Sequence, residues 1–299
     1  MSSDAPDLQN LFAKADRLLD RLHALLPADG TAAIHAPDWQ AAPAFRLRRR
    51  PGALAQAVLE PVLARSAIRL DDLQQIDAQK ERFVRNLESF VAGRPANNML
   101  LTGARGTGKS SLVKAGLNAF AARGLRLIEV DKSDLVDLPD LVALVAARPE
   151  RFIVYCDDLS FDEGERGYKE LKSVLDGSIA QASDNLLVVA TSNRRHLLPE
   201  YMKDNLSATY TDDGELHPGE VVEEKISLSE RFGLWVSFYP FSQSEYLVIV
   251  DQWLRSFGLD EAAIAAARPQ ALVWALERGS RSGRVAWQFA RHKVGECGA

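Results

Sequence analysis

Gly103-Ala104-Arg105-Gly106-Thr107-Gly108-Lys109-Ser110 is the stretch whose residue types and spacing most plainly imply chemistry. It reads G-x-x-x-x-G-K-S, the P-loop pattern. A Gly-rich loop of this kind turns several backbone N–H groups toward one point, and the N-terminus of a following helix adds its partial positive charge there. Phosphate is the natural occupant. Lys109 is placed to reach the β- and γ-phosphates of a nucleotide and the Ser110 hydroxyl to hold Mg²⁺, with Ser111 at the first turn of the helix. Without its context the match would also suit a chance Gly-rich turn or a nest for another anion. The context favours the P-loop: Asn98-Met99-Leu100-Leu101-Thr102 reads as a short buried strand before it, and Ser111 to Leu117 opens a helix after it.

A second constellation lies 47 residues beyond Ser110. Phe152-Ile153-Val154-Tyr155-Cys156-Asp157-Asp158 is an apolar strand ending in two carboxylates, a Walker B pattern. Mg²⁺ needs an oxygen ligand beside the γ-phosphate, and Asp157 is placed to supply it. Asp158 is placed to orient an attacking water, with Glu163 and Glu165 as nearby acidic alternatives. The same pair could instead cap a following helix. The fourth strand in chain order, Leu186 to Thr191, ends in Ser192-Asn193-Arg194-Arg195-His196. Asn193 at its tip could hydrogen-bond the γ-phosphate or the water, or simply cap a turn.

Around these groups the chain supplies elements that could position them. Gln79 to Val91 reads as a helix, preceded by a loop where Ile76 could pack a purine ring or serve as ordinary core. Leu125 to Val130 is a strand whose C-terminal end carries Asp131, Lys132, Ser133 and Asp134, at the edge where ligands bind in open α/β sheets. A helix around Leu138 to Leu144 and another over Tyr168 to Ala182 follow. A fifth strand runs from Leu234 to Phe238. Beyond Pro240 the pattern is helical only: Glu245 to Phe257, Glu261 to Ala267, Pro269 to Arg278, and a last helix opened by Ser282-Gly283-Arg284.

Four stretches carry less. Leu8 to Leu26 repeats apolar residues at helical spacing, either packed on the main domain or free for a partner. Phe45-Arg46-Leu47-Arg48-Arg49-Arg50 could contact a nucleic-acid backbone or form a solvated edge strand. Leu54 to Ala64 reads as a helix kinked or broken at Pro61. Asp204 to Glu224 reads as an exposed acidic loop or hairpin.

Composition narrows the class. The 299 residues suggest about two domains, and a net charge of −5 gives no global pull toward nucleic acid. Cys156 lies in an apolar strand and Cys297 near the end, so a structural disulfide is not expected. No leader peptide and no membrane-length apolar run is visible. The expected location is cytoplasmic.

In this order, the P-loop, the Asp157-Asp158 pair, Asn193, the box Ser229-Glu230-Arg231-Phe232 and Gly283-Arg284 resemble the AAA+ ATPases over about residues 68 to 293. Asn97 to Leu101, Ala190 to Glu200 and Glu224 to Trp235 are similar to a bacterial family catalogued as domain of unknown function 815. The Asp-Asp pair is also similar to the Walker B of bacterial replication initiators, which are active ATPases. Many AAA+ relatives have Glu where Asp158 stands. The resemblance implies an α/β fold with a five-stranded parallel sheet in the order 5-1-4-3-2, helices on both faces and nucleotide held between sheet and lid. It divides the chain into an N-terminal helical region (1–67), a nucleotide-binding core (68–240) and a small helical lid domain (241–299). It implies Asn193 as sensor 1, Arg231 as an arginine finger reaching a neighbouring subunit, and Arg284 as sensor 2. On spacing alone Arg231 would be only a surface ion pair with Glu230. The resemblance further implies ATP and Mg²⁺, a homo-oligomer and a protein partner to be remodelled or loaded. The alternative is a nucleotide-gated adaptor with little basal hydrolysis.

Overall fold

Met99, Leu100 and Leu101 are all fully buried, because the strand β4 (Met99–Gly103) has helices over both faces. Met99 and Leu101 belong to one apolar cluster and Leu100 to the other, the alternation that a pleated strand imposes. The computed structural model describes residues 12, 14–17, 34–49, 57–64, 66–161, 167–176, 184–194, 209–210, 216–217 and 228–297. Beside β4 run β5 (Leu125–Glu129), β6 (Arg151–Cys156), β7 (Leu186–Ser192) and β10 (Leu234–Phe238). These five are parallel in the spatial order β10, β4, β7, β6, β5, which is the 5-1-4-3-2 arrangement expected. Nearly continuous Val, Ile and Leu in β6 and β7 is what a parallel sheet covered on both faces requires.

The sheet does not stop at β5. Three further strands extend it: β1 (Ile34–His35), β2 (Ala44–Arg49) and β3 (Ala57–Pro61). β2 pairs in parallel with β5 and antiparallel with β3, so the basic run is an interior strand, not an edge. The helix expected over Leu54 to Ala64 is replaced by β3, where Ala57 and Leu59 are buried and Val58 and Glu60 point to the other face. The Ala-rich composition suggests helix, but a period of two and a strand-ending Pro61 fit the pleat. The described part of residues 1–67 is therefore mainly β, correcting the helical region expected there. The amphipathic segment 8–26 lies largely outside the described residues; Phe12 and Lys14 to Arg17 are helical and exposed.

Among the described residues four helices flank the sheet: α1 (Asp77–Val91), α2 (Lys109–Phe120), α3 (Leu138–Val145) and α4 (Tyr168–Asp176). Phe83, Leu87 and Phe90 of α1 meet Val113, Leu117 and Phe120 of α2 in the core that also takes Met99 and Leu101. On the opposite face Leu138, Leu141 and Val145 of α3 pack with Phe45, Leu47 and Phe152, and Trp39 packs edge-on against both aromatic rings, with centroids 4.9 Å from Phe45 and 4.8 Å from Phe152. Two ion pairs fasten the added strands: Arg46 with Glu129 at 2.7 Å, and Arg49 with the largely buried Asp137. Of the stretch 204–224 only two short antiparallel strands are described, β8 (Thr209–Tyr210) and β9 (Leu216–His217).

The chain ends in a bundle of three helices, the lid: α5 (Gln243–Ser256), α6 (Glu261–Glu277) and α7 (Gly283–Cys297). Ser242 and Glu245 form a capping box that starts α5, and Asp260 caps α6 through the Ala263 N–H at 2.7 Å. α6 runs through Pro269 as one helix, where the sequence suggests two. Its buried Ile264, Ala267, Ala271 and Ala275 lie in the same apolar cluster as Tyr246 and Val250 of α5, and this packing outweighs the hydrogen bond that Pro269 cannot make. The lid core is continuous with the α1–α2 face of the sheet.

Candidate functional site

The C-terminal ends of β4, β6 and β7 converge on the start of α2, and the lid closes over them. Between them is a cleft of about 970 Å³. It is lined from one side by Arg105 to Ser111, from beneath by Asp157, Asp158, Thr191 and Asn193, and from above by Gly283 and Arg284. The residues expected in the loop, the strand tips and the lid thus share one cavity.

The loop from Gly103 to Gly108 owes its course to glycine at critical points. Gly103 has φ +130°, and a Cβ there would lie 1.9 Å from the Phe238 carbonyl oxygen of the neighbouring strand β10. Gly106 has φ +75°, and a Cβ there would meet Ser282 at 2.8 Å, just before α7 begins. The Gly283 N–H donates to the Gly106 carbonyl at 2.9 Å, so the lid rests directly on the loop. Thr107 is buried and its hydroxyl donates to the Ala104 carbonyl at 2.8 Å, bracing the turn from within.

Lys109 begins α2 and is almost wholly buried. Its ammonium donates to the carbonyls of Gly103 at 2.7 Å and Ala104 at 2.8 Å, and to Asn193 Oδ1 at 3.0 Å. Burial lowers its pKa from the ordinary lysine value, against the pull of Asp158 and Asp157. Asn193 in turn donates through Nδ2 to Asp158 Oδ1. Asp158 sits at φ +53°, a left-handed position that Asp tolerates better than most residues, with Arg105 3.9 Å from its other oxygen.

Asp157 is the more enclosed carboxylate. Its Oδ1 accepts from the Ser110 hydroxyl at 2.7 Å, from the Tyr155 phenol at 2.7 Å and from Thr191 Oγ1 at 2.6 Å. Burial works to raise its pKa, but the hydroxyl donors prevail and hold it below the usual carboxylate value. Tyr155 is pushed well above the ordinary phenol range by burial first and by Asp157 next, so it stays a donor.

At the far end of the cleft Ile68, Leu73 and Ile76 meet Phe241, Ile249 and Trp253, with Trp287 at the rim. Ile76 is buried, its Cδ1 3.4 Å from where a Gly108 Cβ would stand. The segment 66–76 is held by side chains from two helices. Lys80 donates to the Leu70 and Leu73 carbonyls at 3.3 and 3.0 Å, and Asn118 to those of Ser66 and Ile68 at 2.8 and 2.9 Å. A flat apolar ring fits this end and phosphates fit the other.

Gly103, Ala104 and Arg231 are expected site residues that do not line the cleft. Gly103 and Ala104 act from behind it, through the carbonyls that hold Lys109. Arg231 pairs through Nε with Asp176 at the end of α4. Arg46 and Arg49 of the basic run are committed to Glu129 and Asp137, while Arg48 is exposed and Arg50 falls outside the described residues. Glu163 and Glu165 fall outside the described residues, as do Arg195, His196 and Ser227. Tyr155, Thr191 and the two lid tryptophans are site residues that motif reading passes over. A phenol among apolar neighbours in β6 is the one visible signal. Buried Cys156 has its thiol pushed up to about 12, so it remains a protonated, unreactive core group. Among the described residues no helix is long and apolar enough to cross a membrane.

A family model described as "Protein of unknown function (DUF815)" matches residues 40–297. The replication factor C large subunit of Staphylothermus marinus is 37% identical over 67 residues, 22% of this chain and 15% of that protein. Among solved structures, a RuvB variant of Thermotoga maritima superposes with a TM-score of 0.50 at 16% identity, over 75% of this chain and 63% of the other. The Orc1 protein of Aeropyrum pernix, solved in complex with DNA, gives 0.52 at 15% identity, over 76% and 62%. The chain thus spans less than two thirds of each of these proteins, and at such identities the structural likeness concerns the fold.

Proposed function

The chain belongs to the DUF815 family and has the fold of an AAA+ domain, and from that premise we propose that it binds MgATP and hydrolyses it to ADP and phosphate. The observation that carries the reading is the direct contact of Ser110 with Asp157 at 2.7 Å, beneath a buried Lys109 at the head of α2. Two motifs 47 residues apart in sequence meet at one point, with a helix N-terminus aimed at it. The donor set suits Mg²⁺, a hard cation that takes hydroxyl and carboxylate oxygens; bound there, it neutralises phosphate charge.

In this reading the backbone N–H groups of the loop hold the β-phosphate, and Lys109 exchanges its carbonyl partners for phosphate oxygens. Asp158 orients a water and takes its proton as the water adds to the γ-phosphorus and the bond to the bridging oxygen breaks. Asn193 spans Lys109 and Asp158 and so aligns the water-side carboxylate with the phosphate-side cation. Arg284, carried on the lid, brings a second cation to the same cleft. Arg231 acts on the nucleotide of a neighbouring copy, since it lies away from its own cleft. Turnover in such an assembly is coupled to loading or remodelling of a protein partner.

One feature favours the slower alternative, a nucleotide-gated adaptor: Asp158 is held by Asn193 and lies near Arg105, so it must be released before it can orient water. The test uses two variants. Lys109→Ala should weaken ATP binding by an order of magnitude or more, through loss of charged hydrogen bonds to phosphate. Asp158→Asn should retain MgATP and lose hydrolysis. Unchanged ATP affinity in Lys109→Ala by calorimetry refutes the site; tight binding with negligible wild-type turnover selects the adaptor.

A further inference from the structure

Asp157 Oδ1 is the acceptor for three hydroxyls, and Ser110 is the one among them whose hydroxyl the motif chemistry already uses. Tyr155 and Thr191 are 2% and 1% exposed. A phenol buried in the apolar face of β6 costs stability unless its hydroxyl is bonded, and phenylalanine would fill the same space without that cost. Its oxygen reaches Asp157 from two residues upstream on the same strand, at 2.7 Å. Thr191 reaches the same oxygen from the adjacent strand β7 at 2.6 Å, and its Oγ1 also accepts the Asp158 N–H at 2.9 Å. That second bond fixes the left-handed turn by which the chain leaves β6. Thr191 therefore ties the Asp157 carboxylate and the Asp158 backbone to one strand tip.

We propose that Tyr155 and Thr191 are positioning residues that hold Asp157 in the orientation needed to receive the metal beside Ser110. The proposal rests on the MgATP reading above. When Ser110 turns its oxygen to the metal, the donors from Tyr155 and Thr191 remain and keep the carboxylate from rotating away. Groups that orient a metal-side ligand typically govern affinity by about 10- to 100-fold, without touching the metal themselves.

The test measures nucleotide binding with and without metal. Tyr155→Phe keeps the buried ring and removes the phenol oxygen. ADP affinity in EDTA should stay within about twofold of wild type, while the Mg²⁺ concentration for half-maximal effect should rise about tenfold. Binding of Mn²⁺ with ADP, read by the loss of the free-ion electron paramagnetic resonance signal, should weaken in parallel. Thr191→Ser should behave as wild type, because the hydroxyl is restored, and Thr191→Val should match or exceed Tyr155→Phe. If Thr191→Val does not fold, Tyr155→Phe and Thr191→Ser decide the matter. An unchanged metal requirement in Tyr155→Phe overturns the proposal. So does an equal loss of ADP affinity in EDTA, which would mark a packing defect. A wild-type protein whose nucleotide binding ignores metal overturns the MgATP reading itself, before any variant is made.

Discussion

Gly106→Ala isolates the contact between loop and lid. The added methyl carbon would lie 2.8 Å from both Cβ and Oγ of Ser282 and 3.5 Å from Arg284 Cβ. Carbon atoms rest at about 3.5–4.0 Å, so Ser282 must withdraw by most of an ångström. That movement breaks the 2.9 Å bond from the Gly283 N–H to the Gly106 carbonyl, worth about 1 kcal/mol. Separately, φ +75° costs alanine about 1–2 kcal/mol. The two costs fall on different observables. The backbone strain is present with or without nucleotide and lowers Tm by about 2–4 °C. The displaced lid carries Arg284 away from the cleft, and the lost seat weakens MgATP binding roughly three- to tenfold. Ser282→Gly on the Gly106→Ala background removes the clash and leaves the strain. Glycine is also an acceptable helix N-cap in place of serine. Calorimetry on the double variant should therefore return ATP affinity to within about twofold of wild type, while Tm stays depressed. A double variant that regains nothing, or a Gly106→Ala protein that binds as wild type, refutes the docked lid as part of the nucleotide site.

Arg231→Ala should bind ATP normally and lose turnover by about 10³-fold, the lower range for arginine fingers. Mixed with Asp158→Asn it should recover part of the wild-type rate, after light scattering has shown that copies associate and exchange; a mixture that stays dead places Arg231 in its own site. Tyr246, fully buried in the lid with its hydroxyl on the Ala271 carbonyl at 3.2 Å, has its phenol pushed up by burial from 10.0 to about 12. An acid whose folded pKa is raised contributes stability fully below its unfolded pKa and loses it as pH rises through the folded one, so lid stability should fall between pH 10 and 12. Tyr246→Phe should be less stable by about 1 kcal/mol at neutral pH and should lack that alkaline loss in a denaturant series; an identical alkaline profile assigns it to another group.

The partners in the cleft could be read from sequence because their signals are local, whereas the five-strand order followed only from the resemblance to AAA+ ATPases that those motifs carry. A strand, a Gly-rich loop and Lys109 at a helix start are contiguous, and Asp157 and Asn193 each end an apolar run. The N-terminal strands could not be read in the same way. Ala57 to Pro61 shows its pleat only over five residues, in an Ala-rich context that mimics helix, and what makes it a strand is β2, itself paired to β5. Likewise α6 is continuous through Pro269 because of buried Ala267 and Ala271, which a scan for helix breakers does not weigh. Tyr155 and Thr191 look like ordinary strand residues until the register sets them around Asp157. Arg231 carries a legible motif, but its ion pair with Asp176 depends on where α4 ends.

The added strands also set an order for synthesis. β2 and β3 leave the ribosome before β5 exists, and their closing ion pair joins Arg49 to Asp137, 88 residues apart. At about 5–20 residues per second, several seconds pass between completion of β3 and completion of β5. During that interval Phe45 and Leu47, fully buried in the finished molecule, have only each other and the short β1–β3 segment for cover. Closing so long a loop costs little more free energy than closing a short one, because the entropy grows only with the logarithm of length. The delay is therefore one of time: β2 waits for β5 before it can be seated, and a chaperone that holds extended apolar segments has its window there.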